Sequence, residues 1–151
     1  MVKPENFMLT IKTYLDKSSV NGIGIFAGED IPEAKVVWRF NPWVDIVYSG
    51  EEWNHLKSDI SPESLNQILK YAYKSQGNYY VCIDSAQFMN HSEDRFNIVN
   101  NSANDTMFAL RNIVKGEELL CNYFEYCDAD DYNLNRIRKL PDMLYGEKDT
   151  M

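Results

Sequence analysis

Asn90-His91-Ser92 sets an amide, an imidazole and a hydroxyl in consecutive positions directly after the apolar pair Phe88-Met89. Polar groups entering an apolar stretch need buried partners, so part of this triplet faces a polar site. Imidazole changes charge near neutral pH, and His91 is one of only two histidines, with His55. Neither belongs to an H-E-x-x-H pair, and the chain has no G-x-S-x-G, so zinc-protease and serine-hydrolase chemistry lack their parts. A nucleophilic pair of Cys82 and His91 has nothing in the sequence to orient it. Taken alone, a single histidine is more often structural than catalytic.

Two further blocks carry chemistry only in context. Gly22-Ile23-Gly24-Ile25-Phe26-Ala27 comes close to a dinucleotide fingerprint, and Asp45 follows about 20 residues on. That fingerprint needs a hydrophobic strand before it and a helix opening at it. Here Lys17-Ser18-Ser19-Val20-Asn21 precedes it, and Gly28 and Pro32 break any following helix. The glycines alone read as a tight turn between strands, or as backbone left bare so that a ligand can approach. Lys115-Gly116-Glu117-Glu118, followed by Leu119-Leu120-Cys121-Asn122-Tyr123, reads alone as a turn into a strand with a buried tyrosine.

The elements that must position these residues are mostly strands at first. Phe7 to Tyr14, Ile23 to Ala27, Val36 to Phe40 and Val44 to Tyr48 are rich in β-branched and aromatic residues, and Asn41-Pro42 turns the chain between the last two. From Ser49 the texture changes. Ser49 precedes Glu51 and Glu52, and Ser61 precedes Pro62 and Glu63, so each serine caps a helix. Leu65, Ile68, Leu69 and Ala72 fall at helical spacing, which predicts a helix from Ser61 to about Lys74, closed by Gly77-Asn78. Tyr79 to Asp84, Phe96 to Asn100 and Thr106 to Asn112 return to strand, and Leu134, Ile137 and Leu140 share one helical face before Pro141.

Composition bounds the rest. With 151 residues, 44% of them hydrophobic, the chain suits one globular domain. A net charge of -8 argues against general nucleic-acid binding and suits a basic partner. Cys82, Cys121 and Cys127 form no C-x-x-C pair, so neither a disulfide framework nor a metal site is expected, and a reducing compartment is. No cleaved export signal and no membrane-length apolar run is visible, which gives the expectation of an intracellular protein without membrane attachment.

Taken in order, the three blocks resemble the SET-domain protein lysine methyltransferases. The resemblance runs from Gly22-Ile23-Gly24-Ile25-Phe26-Ala27, through Asp84 and Phe88-Met89-Asn90-His91-Ser92, to Ala109-Leu110-Arg111-Asn112-Ile113, Gly116-Glu117-Glu118-Leu119 and Tyr123. It implies a mainly β fold with short helices, β-clip-like, whose Asn90 and Tyr123 segments meet through a knot-like threading. The SET domain would span 1–127, with a helical insert over 49–75 and a C-terminal helical lid or tail over 128–151. The implied activity transfers a methyl group from S-adenosylmethionine to a lysine amine of a protein, histones among the substrates, and leaves S-adenosylhomocysteine. By resemblance Tyr123 is the catalytic tyrosine. Asn21, Gly22, Ile23, Gly24, Phe88, Asn90 and His91 would bind the cofactor, and Tyr79, Tyr80, Cys121 and Tyr126 would line the substrate channel.

Several positions depart from the family pattern. The usual Asn-His-Ser-Cys-x-Pro-Asn becomes Asn90-His91-Ser92-Glu93-Asp94-Arg95-Phe96-Asn97, one residue longer and without the proline. Gln87-Phe88-Met89 replaces a frequent Arg-Phe, Asn122 replaces an aspartate, and Cys121 stands where many relatives carry Tyr or Phe. The cysteine-rich zinc segments of some relatives are missing. These departures keep a second expectation open, a SET-like module that binds a peptide or partner without turnover.

Overall fold

The computed structural model describes residues 8–138. Its strands form four small sheets. β1 (Met8–Leu9), β4 (Val36–Arg39), β10 (Thr106–Ala109) and β9 (Ile98–Asn101) make one antiparallel sheet in that order. β2 (Thr13–Lys17) and β3 (Ile23–Ala27) form a hairpin, β5 (Ile46–Tyr48), β7 (Asn78–Val81) and β6 (Ala72–Ser75) a third sheet, and β8 (Asn90–His91) pairs in parallel with β11 (Leu120–Cys121). Helices α1 (Gly50–Asp59), α2 (Pro62–Tyr71) and α3 (Tyr132–Arg138) complete the described chain, and none is long and apolar enough to cross a membrane. The mainly β expectation holds.

Alternation along β3 sends Ile25 and Ala27 into the core, where Val37, Ile98, Ile113 and Leu119 meet them, all at most 1% exposed. Ile23, on the same face but at the start of the strand, is 54% exposed. The hairpin turns through Ser18, whose hydroxyl accepts from the Val20 and Asn21 amides, and through Gly22, which takes φ +53°. Both helix starts are as the sequence predicts. Ser49 Oγ accepts from the Glu52 amide at 3.1 Å and Ser61 Oγ from the Ser64 amide at 3.2 Å.

Three expectations need correction. The segment from Phe7 to Tyr14 is not one strand: β1 and β2 belong to different sheets, and Phe7 lies outside the described residues. The second helix stops at Tyr71 rather than near Lys74, because Ala72 to Ser75 pair with Asn78 to Val81. Gly77-Asn78 accordingly does not close a helix. Gln76 (φ 51°) and Gly77 (φ 80°) form a two-residue hairpin turn whose left-handed backbone matches the strand twist. Of the predicted C-terminal helical face, Leu134 is buried in α3, while Leu140, Pro141 and the rest of the tail lie outside the described residues.

The turn that launches β11 is fixed by charge. Glu117 accepts from the Val114 amide at 2.6 Å and from both terminal nitrogens of Arg111, at 3.1 and 3.2 Å. The Arg111 guanidinium thereby holds the Glu117 carboxyl below its ordinary value of 4.5. A lowered folded-state value contributes stability that is present above the ordinary value and is lost as the pH falls through the folded one. Glu117 is 35% exposed, so solvent screens the pair. Glu117→Gln is expected to lower the melting temperature at pH 7 by about 1–2 °C, from about 0.5 kcal/mol. Thermal melts of both proteins between pH 7 and pH 2 should converge at the acid end, and a gap that persists there would refute the assignment.

Candidate active site

Segment 117–121 is the seam on which the three blocks of the sequence meet. On one side it bonds to β3: the Ala27 amide donates to the Glu117 carbonyl at 2.9 Å, and the Leu119 amide to the Ile25 carbonyl at 2.8 Å. On the other it runs parallel to β8, with Leu120 opposite Asn90 and Cys121 opposite His91. Asn97, 2% exposed, ties the same seam from below. Its Nδ2 donates to the Glu118 carbonyl, its Oδ1 accepts from the Leu120 amide, and its own amide donates to the Leu120 carbonyl, at 2.9, 2.9 and 3.0 Å. The longer loop after Ser92 therefore still delivers an asparagine, a residue that the sequence reading passed over as a site element.

Asn90 reaches the glycine turn. Its Nδ2 donates to the Asn21 carbonyl at 2.9 Å and the Ile23 carbonyl at 3.2 Å, and lies 3.4 Å from Glu118 Oε2. Glu118 also accepts from the Ser18 hydroxyl at 2.8 Å. The two glycines then serve different ends. A Cβ on Gly24 would sit 2.6 Å from Glu118 Oε2, so Gly24 makes room for a protein carboxylate, whereas nothing lies within 4 Å of the corresponding position on Gly22. Bare backbone open to a ligand is found at Gly22, and at Gly24 the space is filled.

Tyr123 is held at both ends. Its amide donates to His91 Nδ1 at 3.0 Å, and its hydroxyl donates to the Met89 carbonyl at 2.7 Å. An Nδ1 that accepts is unprotonated there, which places any single ring proton on Nε2. The His91 and Tyr123 rings lie 5.1 Å apart. Beside the phenol opens a cavity of about 70 Å³, walled by Tyr73, Cys121, Tyr126, Met89 and Trp38 and flanked by Lys70 and Asp131. Burial raises the pKa of Tyr73, Tyr123 and Tyr126 above its ordinary value and pushes the Cys121 thiol up to about 12, so these walls stay protonated and uncharged at neutral pH.

Cys121 and Tyr126 thus line the cavity with Tyr123, while Tyr79 and Tyr80 do not. Adjacent strand residues face opposite ways. Tyr79 stacks on Trp53 at 4.5 Å on the helical side of the sheet, and Tyr80 stacks on Tyr73 at 5.0 Å, one ring behind the wall. Tyr73 takes the position expected of Tyr79, and it meets Tyr126 edge-on at 5.2 Å. The sequence placed Tyr73 at the end of a helix, and only the Gln76-Gly77 turn signalled otherwise. Phe88 ends a short 3-10 turn and packs edge-on against Tyr71 at 5.2 Å. Among the described residues no group of histidine, cysteine or carboxylate side chains could hold a metal ion.

This geometry coincides with a known family. The SET domain family matches residues 22–124, more than half of the chain, and the protein belongs to that family. No curated protein sequence matches it. Among solved structures it is similar to a candidate histone methyltransferase of Plasmodium falciparum, at 22% identity and TM-score 0.51 over 76% of this chain and 95% of that one. It is also similar to the Neurospora SET domain protein DIM-5, a histone lysine methyltransferase, at 18% identity and TM-score 0.53 over 77% and 53% of the two chains. A chain of ctPRC2, in an autoinhibited conformation bound to S-adenosylmethionine, aligns at 23% identity and TM-score 0.58 over 85% of this chain and 17% of that one. These likenesses establish a shared fold, and this chain spans about half of DIM-5 and a smaller part of the ctPRC2 chain.

Gly24→Ala forces the Glu118 carboxylate away from Ser18 and Asn90, and the lost bonds are expected to cost about 1–2 kcal/mol, roughly 3–6 °C in melting temperature. In a Glu118→Ala background the same substitution should cost much less, since the obstructing atom is gone. Equal costs in both backgrounds, measured by thermal melts, would contradict the assigned clash.

Proposed function

We propose that this protein transfers a methyl group from S-adenosylmethionine to the side-chain amine of a lysine in a protein, with histones as the substrate class. The observation that carries the reading is the double anchoring of Tyr123, on His91 and on the Met89 carbonyl, at the wall of an aromatic cavity. The residues present fit the donor. The Gly22 backbone is open to close approach, and in the neighbouring cavity the buried Trp38 Nε1, without a hydrogen-bond partner among the described residues, would be satisfied by an occupant with an acceptor. When bound, the donor supplies a sulfonium methyl group open to attack by an amine.

The chain's own residues prepare that amine. A lysine ammonium with an ordinary value of about 10.4 costs about 4–5 kcal/mol to deprotonate at neutral pH. Protonated phenols and the Cys121 thiol offer it no counter-charge, and exclusion of water raises its energy further, so the neutral amine is favoured inside. Asp131 accepts from the Lys74 and Leu134 amides at 2.7 and 2.8 Å, and burial raises its carboxyl above the ordinary value, which weakens the counter-charge it offers. Tyr123, kept as a phenol and bonded to the Met89 carbonyl, would offer oxygen acceptors to the polarised hydrogens of a bound methyl group. Alignment is then the main task, and rigid walls perform it.

Asn90, His91, Phe88 and the 21–24 backbone are the residues we assign to the cofactor, with His91 acting also through the Tyr123 amide. The substrate channel is assigned to Tyr126, Cys121 and Tyr73, with Tyr80 in support. The same reading takes 1–127 as the catalytic unit with its knot-like threading, 128–151 as its cover, and the interior of the cell as the place of action.

Tyr123→Phe removes the hydroxyl and leaves the Met89 carbonyl without its donor. It is expected to lower methyl transfer to a histone mixture by at least about 100-fold while the fold persists, an effect near 3 kcal/mol on the barrier. The assay uses labelled donor, with mass spectrometry of the modified residue. A wild-type protein that binds donor but transfers nothing would favour a binding module, and undiminished transfer by the variant would remove Tyr123 from the mechanism.

A further inference from the structure

Glu118 brings a carboxylate to the place where the glycine turn and Asn90 meet, and it is half-buried there. Its oxygens accept from the Ser18 hydroxyl at 2.8 and 3.0 Å, and Oε2 lies 3.4 Å from Asn90 Nδ2. The same oxygen fills the side-chain space that Gly24 leaves vacant. All of these partners are uncharged. Glu117 next to it is paired with Arg111, but no lysine, arginine or histidine nitrogen pairs with Glu118 among the described residues. A carboxylate partly withdrawn from water without a cation is costly unless hydrogen bonds or a bound charge offset it. One hydroxyl and one long amide contact do so only in part.

Contacts already described relate this charge to the reacting centre. The Tyr123 hydroxyl donates to the Met89 carbonyl, which belongs to the same peptide unit as the Asn90 nitrogen. From that peptide the Asn90 side chain runs to the Asn21 and Ile23 carbonyls and to Glu118 Oε2. A single residue therefore separates the carboxylate from the phenol, a span on the order of 10 Å by ordinary bond lengths. That is about one Debye length in physiological salt, and screening is weaker where protein replaces water. A donor held on residues 21–24 and Asn90 lies within this span. S-adenosylmethionine carries a sulfonium, an α-ammonium and a carboxylate, so its net charge is positive. S-adenosylhomocysteine has lost the sulfonium charge with the methyl group and is neutral overall.

Resting on the reading proposed above, we infer that Glu118 is a specificity residue that supplies the counter-charge for the cationic donor and so favours S-adenosylmethionine over the neutral product. It acts through space and touches neither the methyl group nor the amine. When the methyl group leaves, the sulfonium becomes a thioether and this attraction ends, which loosens the product relative to the donor.

Equilibrium binding by calorimetry, without substrate and therefore without turnover, tests this. Glu118→Gln keeps the size and the acceptor for Ser18 but removes the charge. It is expected to raise the dissociation constant for S-adenosylmethionine about fivefold and to leave that for S-adenosylhomocysteine within about twofold. Glu63→Gln removes the same charge from the exposed start of α2 and should leave both constants within about twofold. In the wild-type protein, rising ionic strength should weaken binding of the cationic donor more steeply than binding of the product, a comparison that needs no variant to fold. Equal losses for both ligands in Glu118→Gln would mark a purely structural role and overturn the inference. So would no loss for either ligand, the same effect from Glu63→Gln, or parallel salt dependences, and the methyltransferase reading would survive each of these results. Failure of the wild-type protein to bind either ligand would instead remove that reading, and this inference with it.

Discussion

A parallel pairing only two residues long on each strand holds this protein's site together. Strands of that length have little stability of their own, and parallel ladders are slightly weaker per residue than antiparallel ones. The pairing of β8 with β11 persists because side chains and loop amides extend it. Asn97 bonds three ways to residues 118 and 120, the Ser92 amide donates to the Cys121 carbonyl, and His91 accepts from the Tyr123 amide. Each of these groups, left unpaired in a buried setting, would cost on the order of 1–3 kcal/mol. Polar satisfaction rather than apolar packing thus fixes the distance between the histidine and the tyrosine.

The distribution of charge follows from the same economy of partners. The chain is strongly acidic, yet the carboxylates nearest the cavity act as acceptors for main-chain amides. Asp128 receives the Gln76 and Gly77 amides, Asp131 receives those of Lys74 and Leu134, and Asp84 receives those of Leu9 and Ala86. Two of these acids belong to the segment after Tyr126, and they bond it along the β6–β7 hairpin, so Asp128 and Asp131 act as a structural strap. The cavity beside it keeps protonated thiols and phenols. The phenols and thiol of the wall stay neutral because burial penalises their charged forms, while the nearby carboxylates are engaged by backbone amides.

What the sequence made legible was the local chemistry with a single physical cause. Serine before an acidic first turn gave both helix starts, and the Gly22 turn gave the β2–β3 hairpin. The ordered blocks gave the convergence of Gly22, Asn90 and Tyr123, since their resemblance to a family carries spatial information that no local pattern holds. Misreadings arose where two signals overlapped. Leu65, Ile68, Leu69 and Ala72 keep a helical period up to the residue at which β6 begins, and Gly77-Asn78 looks like a helix stop until its partner strand is known. The choice between Tyr79 and Tyr80 depends on the register of β7, which one residue of slip would invert. Tyr73 could be found only from that register.

Gly24 shows why identical residue types in one motif should not be assigned one role. Both glycines of the turn invite the reading that bare backbone approaches a ligand, and positive φ at Gly22 supports it there. At Gly24 the vacant side-chain position is filled by Glu118, which the same carboxylate links to Ser18 and to Asn90. The glycine is therefore required by a residue 94 positions later in the chain, and through it by the amide that closes the site. A motif that looks local is in this case the footprint of a tertiary contact, and the acidic pair Glu117-Glu118 divides the work: the first carboxylate shapes the turn into β11, and the second locks that strand onto the glycine hairpin.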